Sequence, residues 1–557
     1  MWVGPGRLFL RLINRIANST VFITSVRWRR AEIWDGAVSA FDYMPIIVVD
    51  AIRAGTNTTD VTSFVNAALA TGRNVFAPAG RYPLSGQLNY ARNGQELFGE
   101  SPYQGDDAAG LFGTVFVISA AKGTSFGFDS YVKLRTRCRL DKVAFEFAQT
   151  AAAASGLRSD LVVYPWAIDV STAPGFYLGR VGLFRSYNGV KALGNCGGGL
   201  VHHVIDGSFN IGLDMDGPLH AVNVRFWDTW LYGSSPSTNL TAIFSDGNTI
   251  TCRFGRCDEL MVDSIAGFRC RVVYNGQDRG IPALFGKVGA DDSNARWEHN
   301  SGRAEIATFY GTTNSASDAK IRVSGGSVMF GAATVDSNAS AHTGLIVVTG
   351  GRCVVNSGES YSDRLSIAAT VSGGTLEVHN FQFAGNDTTN SITQPKVLQS
   401  GTGRLIMTGC QPADKGSSAT GTFVKITTDG QHIVAANSFL SWALELPANA
   451  SLGTYGPNIG ITSPTQATTG IVAVRKLYRR YVTLMNSAGN TEYNHGISGL
   501  ASARNAWVKT RIRAADNTGN SVVMDQFVSF DDTKISILTN NTAYGQWNCF
   551  VEIEYDA

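Results

Sequence analysis

Short apolar–polar alternations dominate the chain, and helical periodicity is confined to its first seventy or so residues. From Ile321 the alternation keeps a beat. IRVSGGSVMFG, LIVVTGGRCVVNSG and ATVSGGTLEVHNF each join one β-prone run to another through a glycine pair. The phrases VSGG, VTGG and VSGG begin at Val323, Val348 and Val371, 25 and then 23 residues apart. A looser copy, SGTGRLIMTGC, covers Ser400–Cys410. A fixed period of this length marks a repeat architecture in which one unit cannot bury its own apolar side. Paired glycines and β-branched residues exclude helical pairs, a leucine-rich pattern is absent, and a propeller blade needs roughly 40 residues. A coil of a parallel β-helix, about 20–30 residues, fits. The three phrases are then expected to stack as one corner of successive coils, with glycines where a Cβ would obstruct the coil beneath.

Helical patterning occurs in two places. Leu8, Leu12 and Ile16 recur at helical spacing beside Phe9 and Ile13. Six arginines (Arg7, Arg11, Arg15, Arg27, Arg29, Arg30) precede the first acid, Glu32. This reads as a basic amphipathic helix that docks on a partner, and Arg11 interrupts it too early for a secretion signal. The second place is TDVTSFVNAALATGRNVFAPAGRYPLSGQL, residues 59–88. Thr59 or Asp60 caps a helix whose apolar face is Val61, Phe64, Val65, Ala68 and Leu69, and Gly72 ends it. A strand, a Pro-Ala-Gly turn and a second strand follow. Such a helix covers the open end of a solenoid, where strand edges and core are otherwise bare.

From about residue 440 the beat stops. WALELPANASLGTYGPNIG is turn-rich, and YVTLM, AWVKTRIRA, SVVMDQFVSF, KISILTN and QWNCFVEIEYD alternate as strands of a small antiparallel sandwich. His495, in the YNHGISG before most of them, reads as a turn residue. The chain thus divides into an N-terminal segment 1–50, a capped β-helix 51–435 and a C-terminal module 436–557.

Composition supports an all-β solenoid. Of 557 residues 61 are glycine and only 15 proline, while charged residues make up 16%. A net charge of +2 gives no global attraction to nucleic acid. The longest apolar run, MPIIVVDAI, is broken by Asp50, so no membrane insertion is expected. None of the eight cysteines forms a C-x-x-C pair. Buried thiols, no metal and no cofactor are the expectation.

The helix–strand–PAG–strand opening resembles the start of the pectate-lyase-like right-handed parallel β-helix. With a separate N-terminal segment and C-terminal module, the layout is similar to a bacteriophage tailspike or β-helical tail fibre. The HG pair of YNHGISG is similar to small C-terminal modules of phage tail proteins. The resemblance implies a homotrimer in the phage virion, attached through residues 1–50 to tail or baseplate proteins. It also implies that a bacterial surface polysaccharide is held on coil faces or between subunits, with the C-terminal module serving trimerisation or receptor binding.

Candidate chemistry gathers between Asp206 and Glu305, which hold 13 of the 44 acids together with Trp227, Trp230 and Trp297. Aromatic faces pack on sugar C–H surfaces and carboxylates accept from hydroxyls. In IGLDMDG, strand alternation points Ile211, Leu213 and Met215 inward and places Asp214 and Asp216 outward together, roughly 6.5–7 Å apart. That reaches the lower edge of the ~6.5–9.5 Å used by inverting glycosidases. In AVNVRFWDTWLYG, Val222, Val224 and Phe226 fall inside, leaving Arg225 and Trp227 outside as sugar contacts. Trp230 and Tyr232 join them if the strand bends after Phe226. Asp228, Asp246 and Glu259 are alternative carboxylates. No G-x-S-x-G, P-loop or H-E-x-x-H occurs. The readings are a polysaccharide-cleaving tailspike, a hydrolase before a lyase, or a fibre that binds through its C-terminal module. A secreted pectate-lyase-like enzyme is opposed by the N-terminal segment.

Overall fold

A computed structural model of the chain describes residues 36–100, 103–104, 111–217, 222–231, 238–277, 281–315, 317–337, 343–361, 367–384, 394–412, 422–439, 442–447, 452–455, 458 and 464–465, with seven strands between 475 and 556. The docking helix expected near Leu8–Ile16, Tyr232 and His495 lie outside the described residues.

The chain winds into a parallel β-solenoid of about 12 turns. Among the described residues the coils give long strands, or two short ones in succession, to a 22-stranded sheet and shorter strands to a 15-stranded one. Leu200–Gly207, Ala283–Asp291, Arg303–Thr313 and Ser327–Ser337 belong to the first; Ile211–Asp216, Arg296–Ser301, Ile321–Val323 and Ile346–Val348 belong to the second. The physical reason is alternation repeated in register. Val204, Trp227, Ile265, Val288, Phe309 and Ala333 are successive partners and all are buried. Stacking like residues gives one continuous core from Val38 to Tyr455, which no single coil could enclose.

Glycine makes the corners. Val323, Val348 and Val371 pair successively in the shorter sheet, as the repeat predicts. The two glycines of each phrase do different things. Gly326, Gly351 and Gly374 have φ of +66°, +67° and +67°, where any side chain is strained. Gly325, Gly350 and Gly373 face the carbonyl oxygens of Asn300, Ser324 and Thr349 in the preceding coil. A Cβ there would come well under the 3.0 Å that real Cβ contacts respect. His299–Gly302, HNSG, is an earlier copy hidden by its sequence, for His299 pairs with Val323 and Gly302 has φ +75°.

The helix Thr62–Ala70 caps the solenoid as expected. Asp60 accepts from the Thr62 N–H (3.1 Å), Val61, Val65, Ala68 and Leu69 are buried, and Gly72 follows with φ +69°. The segment boundary at residue 50 needs correction. Ala37–Ser39 pairs in parallel with Asn74–Phe76, and the helix Ile46–Ala54 buries Val48, Val49 and Ile52 in the main core. The cap therefore begins by residue 37, with the strand Ala37–Ser39 in the sheet and one side of MPIIVVDAI laid on the core. The boundary at 435 moves likewise. Ala443–Glu445 pairs with the strand Thr422–Ile426, and Pro464–Thr465 pairs with Leu444–Glu445. Beyond it the strands pair antiparallel in a four-stranded and a three-stranded sheet. Among the described residues no helix is long and apolar enough to cross a membrane, and the seven described cysteines are unpaired, six of them buried.

Candidate functional site

The carboxylates that local alternation favours are engaged in contacts within the fold. Asp214 does point away from the core, but its neighbours are decided by stacking. Along the outer face of the 15-stranded sheet, Lys133, Asp169, Lys191, Asp214 and Arg253 are successive partners. Charges alternate in sign at each inter-coil step, about 4.8 Å. Arg253 grips Asp214 with both nitrogens (Nε–Oδ1 2.8 Å, Nη2–Oδ2 2.5 Å), leaving Asp214 2% exposed. The bond to Asp214 raises the Arg253 pKa further. A carboxylate so neutralised is poorly placed to exchange protons with substrate. Asp216 is exposed but accepts the Arg256 N–H (2.9 Å) at a turn. The expected Asp214–Asp216 pair is therefore not a matched pair of carboxylates.

The tryptophans exchange roles. The strand breaks between Val222–Val224 and Trp227–Thr229, which shifts the alternation by one. Trp227 is fully buried, against its expected outward placement, and Trp230 is 38% exposed. Trp297 is also interior, stacked on Tyr274 and His299. Arg225 is exposed, as expected, at the break itself. Asp246 pairs with Arg158 (2.5 Å), which also donates to the Phe209 and Ile243 carbonyls and to Thr249. Burial opposes ionisation of Asp246, but its bonds to Arg158 and Asn248 win and lower its pKa. It anchors the inserted helix Thr238–Phe244. Glu259 is exposed at the turn before Leu260–Phe268.

Stacking instead assembles another face, on the second half of the long strands. One outward row runs Asp228, Ala266, Gly289, Tyr310, Thr334, Glu359 and Gln382. The row beside it contains Trp230, Phe268, Asp291, Thr312, Asp336 and Tyr361. From Trp230 to Tyr361 is five inter-coil steps, about 24 Å along the solenoid axis. Trp230 packs on Phe268 (ring centroids 3.7 Å apart), and Arg269 lies over the same Phe268 ring at 4.9 Å. Tyr310 and Tyr361 are 43% and 37% exposed.

Carboxylates lie among these rings. Asp291 accepts from Thr312 Oγ1 (2.5 Å), and Glu359 accepts from the Tyr361 hydroxyl (2.8 Å). Burial raises the Asp336 pKa, with the Ser337 N–H opposing it. Burial, then the charges of Asp291 and Asp336, raise the Tyr310 hydroxyl, so one phenol lies within the field of both acids. Asp228 is half-buried at the start of its row. Its charge acts against the burial that lowers the pKa of His203. Asp291 and Asp336 stand two inter-coil steps apart, about 9.5 Å, at the long end of the ~6.5–9.5 Å range for inverting carboxyl pairs. An acid whose pKa burial raises, an exposed carboxylate and flanking rings are the parts needed to hold and hydrolyse a sugar chain.

Local sequence reasoning missed Phe268, Asp291, Tyr310, Asp336, Glu359 and Tyr361. The signal that finds them is one coil length added to an outward position. Neither a scan against protein-family models nor a search of curated proteins finds a match to this chain.

Proposed function

We propose that this chain is a tailspike-type protein of a bacteriophage virion that holds a bacterial surface polysaccharide along the Trp230–Tyr361 face. The observation that carries the reading is that face: aromatic rings and carboxylates aligned for about 24 Å on the outside of a rigid solenoid. A flat, extended row suits a chain substrate rather than a small molecule, which would need an enclosing cavity. Asp336 is the general acid that protonates the leaving glycosidic oxygen. Asp291 is the base that takes a proton from the attacking water. Tyr310, between them, positions the sugar. The proposal includes a right-handed coil, a homotrimer, a C-terminal β-sandwich, and attachment to tail or baseplate proteins through the N-terminal segment.

Binding without cleavage is the second reading, favoured because the Asp291–Asp336 span sits at the long end of its range. Incubation with purified capsular or O-antigen polysaccharide from a panel of bacterial strains tests both. New reducing ends that disappear in Asp336→Asn and Asp291→Asn support cleavage here. Retention of polysaccharide without new ends, lost in Trp230→Ala, supports binding alone. A protein that neither retains nor cleaves any of the panel overturns the proposal.

A further inference from the structure

A second concave site lies away from the aromatic face, near the capped end. The strand Ser130–Lys133 belongs to the 15-stranded sheet, where Lys133 pairs with Asn89 and Asp169. As the chain leaves this strand, a pocket of about 400 Å³ opens at the corner, lined in part by Asn89, Asn93, Lys133, Arg135, Thr136 and Thr172. Its size falls within the ~300–1,000 Å³ of small-ligand sites. Its lining contains two cations, amides and hydroxyls, and no carboxylate.

Lys133 stacks beside Asp169 in the ladder, but neither it nor the arginines of the corner, Arg135 and Arg137, is held in an ion pair among the described residues, and all three are exposed. Asp169, the partner of Lys133 in the ladder, is buried and accepts from the Ser171 N–H (2.9 Å). Arg135 is already held in place. Its Nη1 donates to the Ala91 and Tyr90 carbonyls (2.8 and 3.4 Å), while Nε and Nη2 meet no acceptor among the described residues. An arginine fixed by backbone and open on its other edge suits a planar, bidentate carboxylate. The amides and hydroxyls around it match the alternating donors and acceptors of a sugar ring.

We propose that this pocket binds an acidic saccharide unit, with the sugar carboxylate against Arg135 and Lys133 and the sugar hydroxyls against Asn89, Asn93, Thr136 and Thr172. It is a site distinct from the Trp230–Tyr361 face and does not depend on cleavage there.

The test is calorimetric titration of the full chain with trigalacturonate, with maltotriose as a neutral trisaccharide. Trigalacturonate should bind, and more weakly as salt rises, while maltotriose should not. Lys133→Gln and Arg135→Gln should each weaken trigalacturonate binding about tenfold, as expected for one lost charge-assisted contact. Lys133 is exposed and makes no hydrogen bond that the corner needs, so its variant remains informative if Arg135→Gln fails to fold. Trp230→Ala should leave this binding unchanged, which separates the site from the proposed glycan face. The inference is overturned if trigalacturonate does not bind, if maltotriose binds equally well, or if Lys133→Gln has no effect. It is also overturned if a 12-nucleotide single-stranded DNA binds as tightly, since that would mark a general phosphate-chain surface.

Discussion

Placing a methyl group at the glycine corner is the sharpest probe of how the solenoid is held together. In Gly350→Ala the new Cβ would meet the Ser324 carbonyl oxygen, with the Ser324 carbonyl carbon 3.1 Å away. Gly350 does not have a positive φ, so contact rather than dihedral strain sets the cost. Reaching ordinary contact requires the two coils to part by roughly an ångström, against an inter-coil spacing of about 4.8 Å. The bonds in the way are Thr349 N–H to the Val323 carbonyl (2.8 Å) and Arg352 N–H to the Gly326 carbonyl (2.8 Å). Loss or stretching of two backbone bonds, with overpacking, amounts to about 2–5 kcal/mol. Gly127→Ala is the control, because nothing lies within 4 Å of its added Cβ. Denaturant unfolding should separate the two variants by that amount. Amide hydrogen exchange should show lost protection at Thr349 and Arg352 first, since repeat arrays open locally. Equal stability of the two alanine variants would refute the stacked-corner account.

Asp214→Asn should cost about 1–3 kcal/mol of stability through its lost grip on Arg253, yet leave polysaccharide cleavage per folded molecule unchanged; a large loss of cleavage would return Asp214 to the active site. Asp336→Asn should lower cleavage by two or more orders of magnitude with little change in melting, as removal of a general acid does, and kinetics on the susceptible polysaccharide decides it. Removing residues 1–35 should leave the described fold intact, whereas removing 1–50 strips the strand Ala37–Ser39 and most of a capping helix and should lower the melting temperature; equal melting of the two truncations refutes the cap. Asp206 is buried and its pKa is pushed up to about 7 by burial. Its folded pKa thus exceeds its unfolded one, so the stability linked to its proton is present below about pH 4 and is lost as pH rises towards 7. The melting temperature of Asp206→Asn relative to wild type should therefore rise across that window, and a pH-independent difference would show that Asp206 does not titrate there.

Much of the architecture was legible because it repeats. VSGG, VTGG and VSGG specify one corner through chemistry that only glycine supplies, so the coil period and the stacking of Val323, Val348 and Val371 follow from sequence. The helix Thr62–Ala70 was legible through Asp60, Gly72 and its apolar face. The helix Ile46–Ala54 was not, since MPIIVVDAI is apolar on most sides and reads as a run rather than a stripe. His299–Gly302 escaped because its corner retains only one of the two glycines.

The candidate site was much less legible, for a definite reason. Local alternation decides which side of a strand a residue takes, and it placed Asp214 outward correctly. It cannot say what lies one coil above or below. Arg253 reaches Asp214 from 39 residues away in sequence and turns a promising carboxylate into a rung of an ion ladder. Trp227 was misplaced because a two-residue break at Arg225 and Phe226 inverts the phase, and no local pattern announces it.

The sequence by itself determined that this protein is a β-solenoid, roughly how long its coils are, and where glycine must stand, because those properties depend on backbone geometry within one repeat. Tertiary structure alone decided which acids are paired and which rings form a continuous surface. Coil lengths vary with each turn and insertion, and only the accumulated register brings Trp230, Phe268, Asp291, Asp336 and Tyr361 into one row while leaving Asp214 beneath an arginine.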